Sequence, residues 1–529
     1  MRRLLPTLAL LAALGAYGLD RTAVLSGSGH LLFDLNPAEQ GFIRVVSPWL
    51  DQPLDEILGG PRARTRFLRD SQAVGNQVHG TLALSLAGVH AAGRLGAPLG
   101  TLTLRWLALA ASTAALGLWM VTLWRRTRTW TAPLVFAALF TVAPPVLLKL
   151  SLVHWGTHEV VLLLHAGGVL ALSRGLDHQG GPAGAAGTAA LAGGLAALGL
   201  LANASLLLPA AAAAAWVCLS RRPGALLLRG ALAACTFALT LGLLRASGWL
   251  EGLGQPDQLL GAPLLVGKQG RSFLLSQDQA AGAVAFWGPE LAARAMPLVP
   301  GPGYGQHAAT LEPLVRAGVG LMGIFSGLRL LWLRDPRPGD RLAGFLGLYL
   351  VAGWLAVTVL SQTHGLDPGI LGGIQPRYYA HLYPVALAVV ALWAARARWR
   401  LAVAALLVFL GSVDHVQLMD ARQPWPPQEA AVGRCDATAG WLRAHSDRAP
   451  PAGRLPHGDA SDAFLDGLLL VEDFQFTDYW RWHRPAQVTA ERVAEAARQR
   501  SRRLPDRTAD PDFQAGLDLA QRCLAPAAP

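Results

Sequence analysis

Apolar residues gather into runs of about 15 to 25 positions, divided by short polar or basic connections. The runs are 4–20, 104–124, 131–150, 157–174, 187–201, 203–219, 227–245, 309–333, 341–361, 380–395 and 400–416. A helix that crosses a bilayer needs roughly 20 apolar residues. The pattern predicts an all-α polytopic membrane protein with about 11 transmembrane helices over residues 1–416 and a C-terminal region over 417–529. The pair 187–201 and 203–219 reads either as two spans or as one long broken segment. Segment 80–98 is apolar but carries His90 and Arg94, and reads as an amphipathic helix on the membrane surface rather than a span.

Arginine placement gives the runs a direction. Clusters recur at Arg2–Arg3, Arg125–Arg126–Arg128, Arg221–Arg222, Arg334–Arg337–Arg341 and Arg396–Arg398–Arg400. Lys and Arg accumulate on the cytoplasmic side of membrane proteins. With eleven spans and a cytoplasmic N-terminus, every cluster is cytoplasmic and the alternate connections face outward. The outward parts are a long first loop (21–103), a second, Gly- and Pro-rich loop (246–308) and the region from 417. Trp425-Pro426-Pro427 reads as a linker into that region, where 436–446 and 486–503 look helical and polar.

Composition agrees. The chain is 52% hydrophobic and 15% charged, against about 25% charged in soluble domains. The net charge of +11 belongs to topology and not to nucleic acid, because the arginines cap apolar runs and form no stripe on a soluble domain. Residues 1–19 read as an uncleaved first helix, with a cleaved signal peptide as the alternative. Cys218 and Cys235 read as small core residues. Cys435 and Cys523 form a disulfide if their region is outside the cytoplasm, or remain two free thiols. Small residues over 182–215 suit close helix packing.

Candidate chemistry falls on the outward side. The first loop carries Asp20, Asp34, Glu39, Asp51, Asp55 and Glu56. Asp34 follows apolar residues, so partial burial can raise its pKa and make it a usable base; the bland alternative for each acid is solvation. Arg62, Arg64, Arg66 and Arg69 can grip phosphates in bidentate fashion, or simply face lipid headgroups. The turn 151–159 packs His154, His158 and Glu159 between two spans, a set able to serve in a metal or acid–base site. His165, inside the following span, reads as an interhelical hydrogen-bonder. In 375–384, Arg377 and Tyr378 stand at the outward mouth of a span, with His364 and Asp367 upstream. An arginine there runs against the local charge bias and points to a bound anion, or else to an interfacial anchor.

Together these features resemble the GT-C fold membrane glycosyltransferases, the class of protein O-mannosyltransferases and aminoarabinose transferases. Leu104-Arg105-Trp106 through Arg126 is similar to that family's arginine-led second span, Pro144-Pro145 with Ser151–Glu159 to its next turn, and Arg377-Tyr378 with Pro384 to its late motif. The pattern departs from the family around residue 34, where the paired Asp-Glu is absent, and at the second acid, which histidine precedes. The resemblance covers about residues 1–416. It implies sugar transfer from a polyprenyl-phosphate donor to a periplasmic or lipid acceptor, in a bacterial inner membrane. Asp34, Glu39, His158 and Glu159 would be catalytic; Arg377, Tyr378, Arg62 and Arg64 would bind the lipid phosphate. A divalent metal is an open possibility. The rival classes are a transporter or flippase, and a non-catalytic membrane scaffold.

Overall fold

The computed structural model describes residues 4–26, 79–96, 101–142, 158–175, 182–202, 204–219, 224–247, 337–363 and 381–419, with shorter stretches between 49 and 67 and positions 147, 151, 152, 154 and 249. All regular structure among them is helical, with no strand. In chain order the helices are α1 (Leu4–Ser26), α2 (Leu54–Gly59), α3 (His79–Arg94), α4 (Thr101–Thr127), α5 (Thr131–Thr141), α6 (His158–Gly175), α7 (Pro182–Ala202), α8 (Leu207–Leu219), α9 (Gly224–Ala246), α10 (Pro338–Thr363), α11 (Leu382–Ala394) and α12 (Arg398–Met419). The expected run 309–333 lies outside the described residues, as does everything after 419.

Helix ends follow local chemistry. Arg125 and Arg126 close α4 at the negative end of its dipole, and Asp340 lies in the first turn of α10 at the positive end, two residues after Pro338. After α4 the chain turns through Arg128 at φ 55°, a left-handed conformation that stops a helix. Two expected boundaries move. The run expected to end at residue 20 continues as helix to Ser26, because Arg21 is buried and fully engaged instead of entering the loop. The helix that opens the run 131–150 ends at Thr141 and does not run unbroken to 150; Pro144 and Pro145 follow in the sequence, and residues before proline disfavour helical backbone.

The core sits where α4, α5, α6, α8, α10 and α11 pack. α11 is apolar nearly all round and buried from Leu382 to Leu392, as a helix at a bundle centre must be. α7 and α8 are two helices in contact with one another, joined by the short turn Ala204–Leu206. α9 lies along α7, with Gly193 against the backbone of Ala233. The opposite side of α9 is open: Leu239, Leu243 and Cys235 are exposed. Cys235 is therefore not the core residue its apolar run suggested: it lies on the exposed side of the helix.

Among the described residues two helix segments, Thr103–Thr127 and Arg229–Ala246, are long and apolar enough to cross a membrane. Large apolar side chains also stand exposed on α1 (Leu8, Leu11, Leu19) and α12 (Leu401, Leu406, Phe409).

The bundle has two chemically different ends. Gly339 at the start of α10 lies beside Thr127 at the end of α4, and Asp340 pairs with Arg396 just after α11. These contacts bring Arg125–Arg128, Arg337–Arg341 and Arg396–Arg400 to one basic end. At the other end, Trp49, Ile57, Phe67, Leu82, Leu86, Val89 and Leu104 form a second apolar cluster, joined by Trp249 beyond α9. α3 is buried on the face that meets this cluster and exposed at Leu84, Arg94 and Leu95, the one-sided burial of an amphipathic helix.

His90 on α3 has its Nε2 buried without a hydrogen-bond partner among the described residues. Burial, with a smaller contribution from the Arg94 charge, holds its pKa below the ordinary 6.5. The folded state thus prefers the neutral ring, and the stability this gives is present above pH 6.5 and lost as pH falls below it. His90→Gln should therefore flatten the fall in detergent melting temperature over that acid range. A parallel fall in both proteins would assign the acid sensitivity elsewhere.

Candidate functional site

The turn between α5 and α6 is tied down at the loop end by a buried polar network. Arg21 is 0% exposed. Its Nε donates to Ser151 Oγ at 3.1 Å and one terminal nitrogen donates to the Thr141 carbonyl at 2.9 Å. The other pairs with Asp20, and the guanidinium lies 4.8 Å from the Tyr17 ring centre. Tyr17 donates to Ser112 Oγ at 3.1 Å, and Ser112 donates to the Ser151 carbonyl at 3.2 Å. α1 and α4 thereby hold Ser151, and Arg21 ties the end of α5 to the same network.

The same turn brings a histidine against a carboxylate. His154 Nδ1 and Glu159 Oε1 are 2.5 Å apart, and both side chains are 2% exposed. Glu159 lies in the first turn of α6, where the helix dipole favours a carboxylate. Its second oxygen is buried with no hydrogen-bond partner among the described residues. A carboxylate with one oxygen oriented by an imidazole keeps lone pairs on the other, the requirement for accepting a proton from a hydroxyl brought against it. His158 opens α6, and its side chain lies outside the described set.

The first-loop arginines separate. Arg62 is exposed, whereas Arg64 is buried, hydrogen-bonded to the carbonyls of Ser247 and Gly59, and 4.7 Å from the centre of the Trp249 ring. Arg64 thus fastens the end of α9 to the loop that follows α2. Asp34, Glu39, Arg377 and Tyr378 lie outside the described residues, as do Cys435 and Cys523.

A further polar cluster lies inside the bundle. His165 Nε2 is hydrogen-bonded to Ser205 Oγ at 2.9 Å, and its Nδ1 meets the Tyr349 hydroxyl. Its role as an interhelical hydrogen-bonder is what the sequence suggested. The His381 ring stacks on it at 4.8 Å, presenting a buried Nε2 without a partner among the described residues. Sequence reasoning missed Arg21, Ser112, Tyr349 and His381. A cue existed only for His381, a histidine next to a wholly apolar helix; Ser112 and Tyr349 read as ordinary members of their runs, and Arg21 as the first residue of a loop.

Among the described residues no group of three or more His, Cys, Asp and Glu side chains converges to hold a metal. No protein-family model, curated protein or solved structure matches the chain.

Proposed function

We propose that the chain is a multi-pass glycosyltransferase of the bacterial inner membrane, moving a sugar from a polyprenyl-phosphate donor to a periplasmic or lipid acceptor. The observation that carries this reading is the buried His154–Glu159 pair, set at the end of the bundle opposite the arginine clusters. If the basic end is cytoplasmic, as the positive-inside bias requires, that pair faces the outer leaflet. About eleven spans with a cytoplasmic N-terminus then carry the periplasmic loops 21–103 and 246–308 and the region 417–529. Exposed apolar faces on α1, α9 and α12 support contact with lipid.

In this proposal Glu159, or Asp34 with Glu39, takes the proton from an acceptor hydroxyl. The acceptor oxygen then bonds to the anomeric carbon as the bond from that carbon to the phosphate oxygen breaks. The phosphate leaves with the bonding electron pair, and Arg377, with Tyr378 and Arg62, stabilises its charge.

The test is transfer of radiolabelled sugar in membranes loaded with polyprenyl-phosphate sugars. Arg377→Ala should lower transfer by about 100-fold or more at unchanged protein level, and so should whichever of Glu159→Gln and Asp34→Ala removes the base. Survival of transfer in all three would overturn the site, and absence of transfer from every donor would overturn the activity. A transporter is the second reading, favoured by the His165–Ser205–Tyr349 network and His381 inside the bundle, since ionisable residues there mark substrate or proton paths. In that case membranes show no transfer at all, and His165→Ala abolishes proton-driven uptake.

A further inference from the structure

The basic end of the bundle holds a feature that sugar transfer at the opposite end does not use. Among the described residues it gathers Arg125, Arg126, Arg128, Arg337, Arg341, Arg396, Arg398 and Arg400 around one carboxylate, Asp340. Asp340 is committed to Arg396, so it offsets little of the remaining charge.

Tryptophans stand among these arginines. Arg128 lies 5.8 Å from the ring centre of Trp124, which stacks with Trp130. Arg400 lies 5.4 Å from Trp393 and 5.1 Å from Trp399, whose rings meet edge to face at 5.5 Å. Its Nε is buried with no hydrogen-bond partner among the described residues. Neighbouring Arg398 is exposed, and so is Trp399, at 61%.

Directly along α12 from Trp399 runs an exposed apolar face: Val403, Leu406 and, at 64%, Phe409. Cationic groups with indoles at one level, and bare aliphatic surface below them, match the two parts of a phospholipid. Tryptophan favours the headgroup level of a bilayer, and arginine can lay its stem on apolar surface while its head meets phosphate.

We infer that the start of α12 is a binding site for an anionic phospholipid. Arg398 and Arg400 hold the phosphate, Trp393 and Trp399 frame it, and the acyl chains lie along the exposed face of α12. The inference rests on the chain's being a membrane protein, not on its being a glycosyltransferase.

The experiment uses the full chain purified in mild detergent, freed of lipid, and titrated with radiolabelled phosphatidylglycerol or phosphatidylcholine. Each arginine near an anionic headgroup is worth about five-fold in binding, so two predict a preference of roughly thirty-fold for phosphatidylglycerol, weakened by salt. R398Q/R400Q should erase that preference. R398K/R400K, which keeps the charge, should retain most of it and shows that loss in the first variant is not loss of fold. Equal binding of the two lipids by the parent chain would overturn the proposal, as would an undiminished preference in R398Q/R400Q. Displacement of the lipid by excess sn-glycerol 3-phosphate would overturn it too, by showing a site for soluble phosphate. These outcomes do not depend on whether sugar transfer is found.

Discussion

Arg21→Met should destabilise the bundle by about 2–4 kcal/mol, more than any substitution on its exposed faces. The arginine is wholly buried and serves Ser151, the Thr141 carbonyl and Asp20 together, while lying over Tyr17. Methionine fills much of the volume but leaves acceptors buried and Asp20 without its cation. Buried acceptors stripped of a donor pay their full desolvation cost. Arg21→Lys should recover less than half of the loss, because a single ammonium cannot reproduce the planar fork that reaches partners on three sides. The measurement is thermal unfolding in detergent. A midpoint for Arg21→Met equal to that of the parent would refute the network's role. Since Ser151 begins the turn that carries His154 and Glu159, the proposed sugar transfer should fall with stability in Arg21→Met.

Gly193→Val should separate α9 from α7. A Cβ built at Gly193 would overlap the carbonyl of Ala233 and come within 3.1 Å of its Cα. Backbone cannot rotate aside as a side chain can, so the helices must move apart. Overpacking of this kind costs about 1–3 kcal/mol, and helix pairs in lipid depend on small residues at the point of crossing. Gly187, six positions earlier on the same helix, has nothing within 4 Å of its would-be Cβ. Gly187→Ala should be neutral or slightly stabilising, because alanine is the better helix former by about 1 kcal/mol. Detergent melts of Gly193→Val, Gly187→Ala and the parent form the comparison. Similar behaviour of the two variants would show that the α7–α9 contact contributes nothing.

Much of this architecture was legible in the sequence because helix formation and burial are local problems. Apolar runs of the right length and an arginine pair at the end of α4 each act within a turn or two. The stop before Pro144-Pro145 is equally local, yet the run reads straight through it because the residues on both sides are apolar. The segregation of basic connections from His- and acid-bearing ones was also visible, since alternate connections of an antiparallel bundle must share an end. The turn 151–159 stood out for its ionisable residues beside apolar runs, though nothing local singled out His154 as the partner of Glu159.

Only the tertiary structure decided which polar groups are buried together. Arg21 looks in sequence like the first residue of a loop; it is buried because Thr141 and Ser151, 120 and 130 positions away, offer it acceptors. Arg62 and Arg64 look alike, yet one is exposed and the other carries Ser247 and Trp249. His165 and His381 stack because α6 and the start of α11 meet. A charged or hydrogen-bonding side chain is stable inside a bundle only where distant backbone and side-chain partners converge on it. That convergence is a property of packing between helices, and sequence position along any one helix does not contain it.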